Sequence, residues 1–303
     1  MTDYSVKAIR QSFKEKGIFY TPPELAEYLK SFLPEGVTDV YDPTCGNGGL
    51  LAVFGDEVSK YGQDINADQV ADARARLQNF EGWVGDTLTN DMFHDCAFDA
   101  IIANPPFSVK WDPDKAKDDA RFICLPCLPP PSKADYAFIA HILHHLTFDG
   151  TAVVLNAPGI LFRGNREGKI REYLVDRNYI DTVVHVDGGK FEDTNIPTCI
   201  LVLKRHRDTT DIRFISGDEE RMVSLEEIER NNYNLSVNLY ISHAPEKKPV
   251  DIMALRTDTI QMLINHVIGS LMMEKSMCEL DGGNIQESIE KLRNAIDDFE
   301  RKL

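Results

Sequence analysis

From residue 39 onward the chain alternates short apolar runs with stretches of helical periodicity. Strands are read at 39–42, 58–65, 98–103, 151–156, 180–186 and 198–203, where apolar and β-branched residues cluster between turn signals. A further short strand is expected just before Asp86. Between them, residues 67–79, 134–146 and 169–175 place apolar positions three and four apart, as helices with one buried face do. Upstream, Val6, Ile9 and Phe13 mark a short helix over 5–16. Pro22-Pro23 opens another over 24–32, since proline is tolerated in a first helical turn. The alternation predicts an α/β fold with a doubly wound mixed sheet, its late strands close enough in sequence for an antiparallel hairpin. In such sheets ligands bind beyond the carboxyl ends of the strands, so the turns after strands are where chemistry is sought.

Two stretches break the pattern. Residues 111–133 are polar and then proline-rich, and are too long for an idle connection, so they are read as a functional loop or lid. After Ile215 no strand is read, and helical periodicity returns at 260–273 and 285–303. There Ile285, Ile289, Leu292, Ile296, Phe299 and Leu303 form an apolar stripe that suits a partner helix or packing on its own domain equally well. The expected divisions are an N-terminal helix (1–16), an α/β domain (17–217) and an acidic C-terminal helical tail (218–303).

Charge narrows the picture. The 303 residues carry 33 Lys and Arg against 49 Asp and Glu, a net −16, which excludes a broadly basic domain holding phosphates by itself. Only 160–213 is near neutral, and there Arg163, Arg166, Lys169, Arg171, Lys204, Arg205 and Arg207 suggest a local phosphate-facing patch. The N-terminus has no apolar segment of signal-peptide type and the longest apolar runs are strand-sized, so a cytoplasmic protein with no membrane partner is expected. Six scattered cysteines fit reduced thiols better than a disulfide framework.

Four short segments carry the candidate chemistry. Asp42-Pro43-Thr44-Cys45-Gly46-Asn47-Gly48-Gly49 follows the first strand, and its glycines let a ligand approach the backbone. It lacks the Lys-Ser/Thr of a phosphate-cradling loop and opens with a carboxylate. A neutral or cationic ligand with a ribose therefore suits it better than a nucleoside triphosphate. Asp64 ends the second strand, where an acidic residue accepts ribose hydroxyls in nucleoside-binding sheets, and Asp86 ends the next. Asn104-Pro105-Pro106-Phe107 closes the strand 98–103. A glycine-rich loop alone more often means a turn, and Asn-Pro-Pro alone ends strands. In this order, the four point to one site.

The set resembles the N6-adenine DNA methyltransferases, in which an Asn/Asp-Pro-Pro-aromatic turn follows a glycine-rich cofactor loop. Within them it is most similar to the modification subunit of type I restriction-modification systems, over about residues 17–255. Gly17-Ile18-Phe19-Tyr20-Thr21-Pro22 looks like that family's N-terminal cofactor motif, 42–51 like its Asp-Pro-Ala-Cys-Gly-Ser-Gly-Gly loop, and Tyr61-Gly62-Gln63-Asp64 like its Gly-Gln-Glu. The stretches 119–122, 133–138, 159–163 and 170–174 also look like family signatures. The resemblance implies a Rossmann-like methyltransferase domain over 17–217. It implies S-adenosylmethionine held by Phe19, Tyr20, Thr21, Pro22, Asp42, Thr44, Gly46, Asn47, Gly48, Gly49, Asp64 and Asp86, with Asn104, Pro105, Pro106 and Phe107 as the catalytic turn and no metal. DNA, a separate specificity subunit and a restriction subunit are the implied partners. Two departures stand out: 16 residues precede Gly17 where the family holds a helical domain, and Asp187-Gly188-Gly189 stands where it tends to have Leu-Pro.

The chemistry of the turn agrees with that resemblance. The exocyclic amine of adenine is a poor nucleophile because its lone pair is delocalised into the ring. The side-chain carbonyl of Asn104 and the backbone carbonyl of Pro105 can each accept one amine hydrogen, favouring a tetrahedral nitrogen with its lone pair toward the methyl donor. Prolines 105 and 106 stiffen the turn. Phe107 can stack on a base turned out of its duplex, a contact worth about 1–3 kcal/mol. A cytosine-C5 enzyme needs a cysteine nucleophile, but Pro126-Cys127 follows the Asn-Pro-Pro-Phe turn and does not replace it, so an ordinary loop thiol is expected. Cys124 and Cys127 have no second pair to complete a zinc site. His141, His144 and His145 share a helix face without the carboxylate of a His-Glu-x-x-His motif, and read as packing or surface histidines. The competing functions are a solitary adenine methyltransferase, a methyltransferase for glutamine or another amine, and a non-catalytic cofactor-binding subunit. Glutamine-modifying relatives usually carry Tyr after the prolines, where this chain has Phe107.

Overall fold

The computed structural model describes residues 21–188, 197–241 and 252–301. The helix expected over 5–16 and the site candidates Phe19 and Tyr20 lie outside the described residues. The chain divides into two compact units, one ending at Ser242 and the other beginning at His243.

The first unit opens with α1 (Pro23–Lys30), whose first turn accepts Pro23 and whose Leu25, Ala26 and Leu29 are buried. There follow β1 (Asp39–Asp42), β2 (Ser59–Asp64), α2 (Ala67–Arg76), β3 (Phe80–Val84) and β4 (Phe98–Ala103). Then come α3 (Ala120–Ile123), α4 (Asp135–His144), β5 (Leu146–Asn156), α5 (Asn165–Asp176), β6 (Ile180–Val186) and β7 (Thr198–Lys204). The unit ends with β8 (Ile212–Ser216), β9 (Glu219–Val223) and α6 (Leu225–Arg230). Among the described residues these strands form one sheet in the order β3-β2-β1-β4-β5-β7-β6-β8-β9. β3, β2, β1, β4 and β5 run parallel, while β7 is antiparallel to both β5 and β6. This is the doubly wound mixed sheet expected, with the late hairpin formed by β6 and β7.

Strand order reverses direction at β1, which has β2 and β3 on one side and β4 and β5 on the other. That reversal opens a crevice at the carboxyl ends of β1 and β4. Alternation along β4 sends Ala100 and Ile102 to one face and Ile101 and Ala103 to the other. The first pair packs with Leu25, Leu29, Val70 and Ala73, the second with Ile139, Ile142, Ile170 and Leu174. Ile101 and Ile102 are fully buried, so trimming either to alanine is expected to cost about 2–5 kcal/mol. Both faces of β4 are thus clamped just before Asn104.

Three expectations need correction. Residues 219–223 form a strand where none was read: β9 pairs antiparallel with β8 around Gly217, whose φ of +59° suits a tight turn. Only Val223 of β9 is buried, so this polar edge strand leaves no alternating signal. The boundary expected at 217 therefore falls inside a hairpin; Ile228, Leu235, Val237 and Tyr240 join the main core and the first unit continues to Ser242. Residues 111–133 are anchored instead of forming a free lid. Ala116 and Phe122 pack with Leu88, Ala137 and Phe138, and the Trp111 indole N–H donates to the Pro130 carbonyl at 3.0 Å.

The second unit contains α7 (Ile252–Asp281) and α8 (Ile285–Glu300), turned at Gly282 with a φ of +77°. Half-buried Leu271, Glu274 and Cys278 on α7, and Ile285, Ser288, Ile289 and Leu292 on α8, mark their seam, and Ser288 donates to Glu274 across it at 3.0 Å. Part of the expected stripe is therefore used within this hairpin, while Leu303 lies outside the described residues. Among the described residues no helix is long and apolar enough to cross a membrane.

Candidate active site

Thr21, Asp42, Thr44, Cys45, Gly46, Asn47, Gly49, Leu50 and Asn104 line one cleft at the reversal point. Candidates separated by more than 80 residues in sequence thus meet. Asp42 ends β1 with 1% of its surface exposed, and its Oδ1 accepts the Thr44 backbone N–H at 2.9 Å. Its Oδ2 has no donor among the described residues. Burial pushes the Asp42 carboxyl up to about 7, partly offset by the Thr44 hydrogen bond and reinforced by the negative charge of Asp64. Asp64, at the end of β2, receives the Gly46 N–H on Oδ2 at 2.9 Å and the Asn66 N–H on Oδ1 at 2.8 Å. The glycine loop is therefore tied to the second strand through this carboxylate. Gly48 has a φ of +79°, and a Cβ there would come within 2.5 Å of Leu77 Cδ1, so both the turn and its packing on α2 demand glycine.

Asp86 follows β3 and accepts the Leu88 N–H at 3.1 Å and the Thr89 hydroxyl at 2.8 Å. It shapes its own turn and does not line the cleft described above. The neighbouring Thr87 hydroxyl donates to the Pro43 carbonyl, joining this turn to the glycine loop.

Asn104, Pro105, Pro106 and Phe107 leave β4 at the opposite rim. Asn104 Nδ2 donates to Thr21 Oγ1 at 3.2 Å, joining the turn to the N-terminal motif. Its Oδ1 has no donor among the described residues and is left as an acceptor. Pro105 is buried, whereas Phe107 is 36% exposed. Ser108, with a φ of +54°, turns the chain away.

Several contributors were not singled out as site residues, although Arg121 and Asp135 fall in stretches that the resemblance marked as family signatures. Asp135 receives the Ser108 N–H on Oδ1 at 3.1 Å. Arg121 is buried and donates to the carbonyls of Thr87 at 2.7 Å and Leu88 at 3.1 Å, fixing the turn that Asp86 begins. Ile65, directly after Asp64, is 72% exposed, an unusual position for an isoleucine at the mouth of a ligand crevice. Its apolar character next to an acidic strand end was the available clue.

Asp91, His141 and His145 bring three potential metal-binding atoms within 4.8 Å of one another. The guanidinium of Arg121 already supplies the cation there: its Nη1 lies 3.4 Å from Asp91 and 2.8 Å from His141 Nδ1. His141 must accept at Nδ1, so its Nε2–H points to Tyr41 Oη at 3.1 Å. Burial and the neighbouring His145 hold His141 well below the usual imidazole range, in the neutral form. Against the upward push of burial, the His145 hydrogen bond and the nearby His and Arg groups hold Asp91 below the usual carboxylate range. This is a structural network, consistent with packing histidines for 141 and 145, whereas His144 is exposed. Cys127 is half-buried in its loop, with Sγ 3.7 Å from the Arg166 carbonyl.

The basic patch read over 160–213 is not realised as a whole. Arg171 is buried on the carbonyls of Ile160, Arg163 and Tyr233; Arg207 pairs with Asp181, and Lys204 lies 3.1 Å from the same carboxylate. Arg205 donates to the Leu146 carbonyl, and Arg163 pairs with Glu167. Of the seven cations, Arg166 and Lys169 are the exposed ones without such partners among the described residues.

The N-6 DNA methylase family profile matches residues 4–221. The chain is 34% identical to the type I restriction enzyme MpnII methylase subunit of Mycoplasma pneumoniae over 80% of its own length and 56% of the relative's. It is 27% identical to the MjaVII methylase subunit of Methanocaldococcus jannaschii, over 78% of this chain and 52% of that one. The solved methyltransferase subunit of a type I restriction-modification system from Streptococcus thermophilus superimposes with a TM-score of 0.68 at 31% identity, over 74% of this chain and 59% of that one. The chain thus spans about half the length of the curated relatives it matches. With most of the α/β unit inside the matched region, the chain belongs to the N-6 DNA methylase family.

Proposed function

We propose that the chain transfers a methyl group from S-adenosylmethionine to the N6 amine of an adenine turned out of DNA, as a modification subunit. The observation that carries this reading is Asn104 at the rim of the glycine-loop cleft, with Nδ2 engaged by Thr21 and Oδ1 left to accept. The cleft suits the cofactor: among the described residues its lining includes Asp42 and no basic side chain, which favours a sulfonium and disfavours a phosphate. Thr21, Asp42, Thr44, Gly46, Asn47 and Gly49 would hold it, with Asp64 and Ile65 toward its ribose and ring. When bound, the cofactor supplies an electrophilic methyl group. Asn104 Oδ1 and the Pro105 carbonyl accept the two hydrogens of the amine, orienting its lone pair, and Phe107 stacks on the base.

The relatives named above are methylase subunits of type I restriction enzymes, which supports a separate specificity partner and a restriction subunit in the same assembly. α7 offers a surface for such a partner, since Ile260, Leu263, Ile264, Val267 and Ile268 are exposed at helical spacing. The test is methyl incorporation from labelled cofactor into mixed-sequence DNA, with and without co-purified partner, followed by nucleoside analysis. Label on N6-methyladenine is expected; label on cytosine or on protein would refute the reading. Asn104→Ala is expected to lower transfer at least about 100-fold while cofactor affinity changes little. Loss of cofactor binding in that variant would mean the residue belongs to the cofactor site instead.

A further inference from the structure

Asn104 to Phe107 can present acceptors to an amine only if the turn is held still, and what holds it lies outside the turn. Ser108 follows directly, in the left-handed region at φ +54°, a conformation that strains a residue with a Cβ. Its N–H is received by Asp135 Oδ1 at 3.1 Å, and its hydroxyl lies 3.3 Å from Arg163 Nη2. Asp135 is 1% exposed, and among the described residues its Oδ2 has no hydrogen-bond donor, with Arg163 Nη1 3.6 Å away. The same guanidinium meets Glu167 at 3.0 Å. A buried carboxylate with one oxygen lacking a hydrogen-bond donor is expensive, and a fold tolerates it where the other oxygen is needed.

The anchors are themselves fixed. Tyr136 Oη donates to the Ile160 carbonyl at 2.7 Å, and Arg171 Nη1 donates to the carbonyls of Ile160 and Arg163 at 3.1 and 2.8 Å. Two of the stretches marked by the resemblance, 133–138 and 159–163, thereby meet at Ser108 behind the Asn-Pro-Pro-Phe turn, and a third, 170–174, holds the second of them in place. Resting on the function proposed above, we infer that Asp135, seconded by Arg163, is a positioning residue: it pins Ser108 in its strained conformation and so sets where Asn104 Oδ1, the Pro105 carbonyl and Phe107 meet the target base. Neither side chain touches the base in this scheme.

The test compares Asp135→Ala, Asp135→Asn and the double variant Asp135→Ala/Ser108→Gly in the full chain. Hydrogen exchange over residues 104–109 reads the clamp directly, and S-adenosylmethionine binding and steady-state methylation of mixed-sequence DNA read its consequence. In Asp135→Ala, exchange in this segment is expected to rise about tenfold or more and kcat to fall about 100-fold, the cost of an ångström-scale misplacement, with cofactor affinity unchanged. Asp135→Asn keeps an acceptor for the Ser108 N–H and is expected to retain most of kcat. Glycine tolerates the left-handed conformation without strain, so the double variant is expected to recover part of what Asp135→Ala loses. Unchanged exchange in Asp135→Ala would overturn the clamp. So would faster exchange with wild-type kcat, or a loss in Asp135→Asn as large as in Asp135→Ala. A wild-type chain that methylates no adenine even with its co-purified partner present would refute the proposed function, whereas the exchange measurement would still decide whether Asp135 holds the turn.

Discussion

Cofactor binding is expected to weaken in acid because Asp42 titrates near neutrality. Its carboxyl is raised to about 7 by burial at the end of β1, and a sulfonium placed in the cleft it lines would favour the ionised form. Only the ionised fraction of the free protein is then competent for tight binding. At pH 5.5 that fraction is about 3%, so the apparent Kd is expected to be roughly 30-fold weaker than at pH 8. Titration calorimetry across pH 5.5–8, in two buffers of different ionisation enthalpy, measures both the affinity and the release of about half a proton near pH 7. The cofactor carries an ionisable amine of its own, so the part due to Asp42 is the difference between wild type and Asp42→Asn. An equal pH slope in the two proteins would refute the reasoning. The same shift has an opposite consequence for the empty protein. With the folded carboxyl raised from 3.8, the native state binds the extra proton. Stability is therefore expected to fall as pH rises from about 4 to about 7 and to level off above, a trend that Asp42→Asn removes.

Arg121→Met should lower the unfolding free energy by about 3–5 kcal/mol in urea titrations, because it strips a buried cation from Asp91 and leaves the Thr87 and Leu88 carbonyls without their donor; a loss below 1 kcal/mol would show the network to be dispensable. Gly48→Ala should cost about 1–3 kcal/mol in strain and weaken cofactor binding, since the new Cβ meets Leu77 in a left-handed turn; an unchanged Tm would refute the packing argument. Arg166→Gln and Lys169→Gln should weaken DNA binding without changing Tm, whereas Arg171→Gln and Arg207→Gln should lower Tm, because these two hold backbone carbonyls. Filter binding at two salt concentrations together with thermal melts separates the two classes.

The parts of the site legible in the sequence are those that one local segment builds. Asp42 to Gly49 signals a ligand loop by its own composition, and Asn104 to Phe107 signals a rigid turn; the alternation of strands and helices then places both at the same edge of the sheet. Interactions between distant segments leave no local trace. Arg121 reaches the Thr87 and Leu88 carbonyls from more than 30 residues away, and Asp135 reaches Ser108 from 27 residues away. The resemblance marked the stretches that hold them, 119–122 and 133–138, but by residue chemistry alone each looks like an ordinary charge at a helix start. Asp64 and Asp86 show the converse: both were singled out as ligand groups, and both carboxylates also accept hydrogen bonds within the protein that shape the loops around them. β9 escaped notice because an edge strand with one buried residue has no period-two pattern to read.

Charge is where sequence and structure diverge most usefully. A run of arginines in an otherwise acidic chain suggests a nucleic-acid surface, yet arginine is also the side chain best suited to tie several carbonyls and a carboxylate at once. Arg207 does this and Arg171 ties three carbonyls, so each meets three or more partners. Their charge is spent on holding α5 and the β6–β8 region together, so it cannot also neutralise phosphates. The net −16 of the chain therefore bears on DNA more heavily than the local count at 160–213 suggested. Under the proposed function, a chain of this charge would need cations from elsewhere to hold a duplex long enough for a base to turn out. The exposed apolar side chains of α7 offer a way to recruit them: a partner that docks there by burying hydrophobic surface can bring its own positive charge to the complex. If the proposed function holds, the acidity and the apolar helix are two aspects of one division of labour, in which this chain would supply the chemistry and a partner the grip.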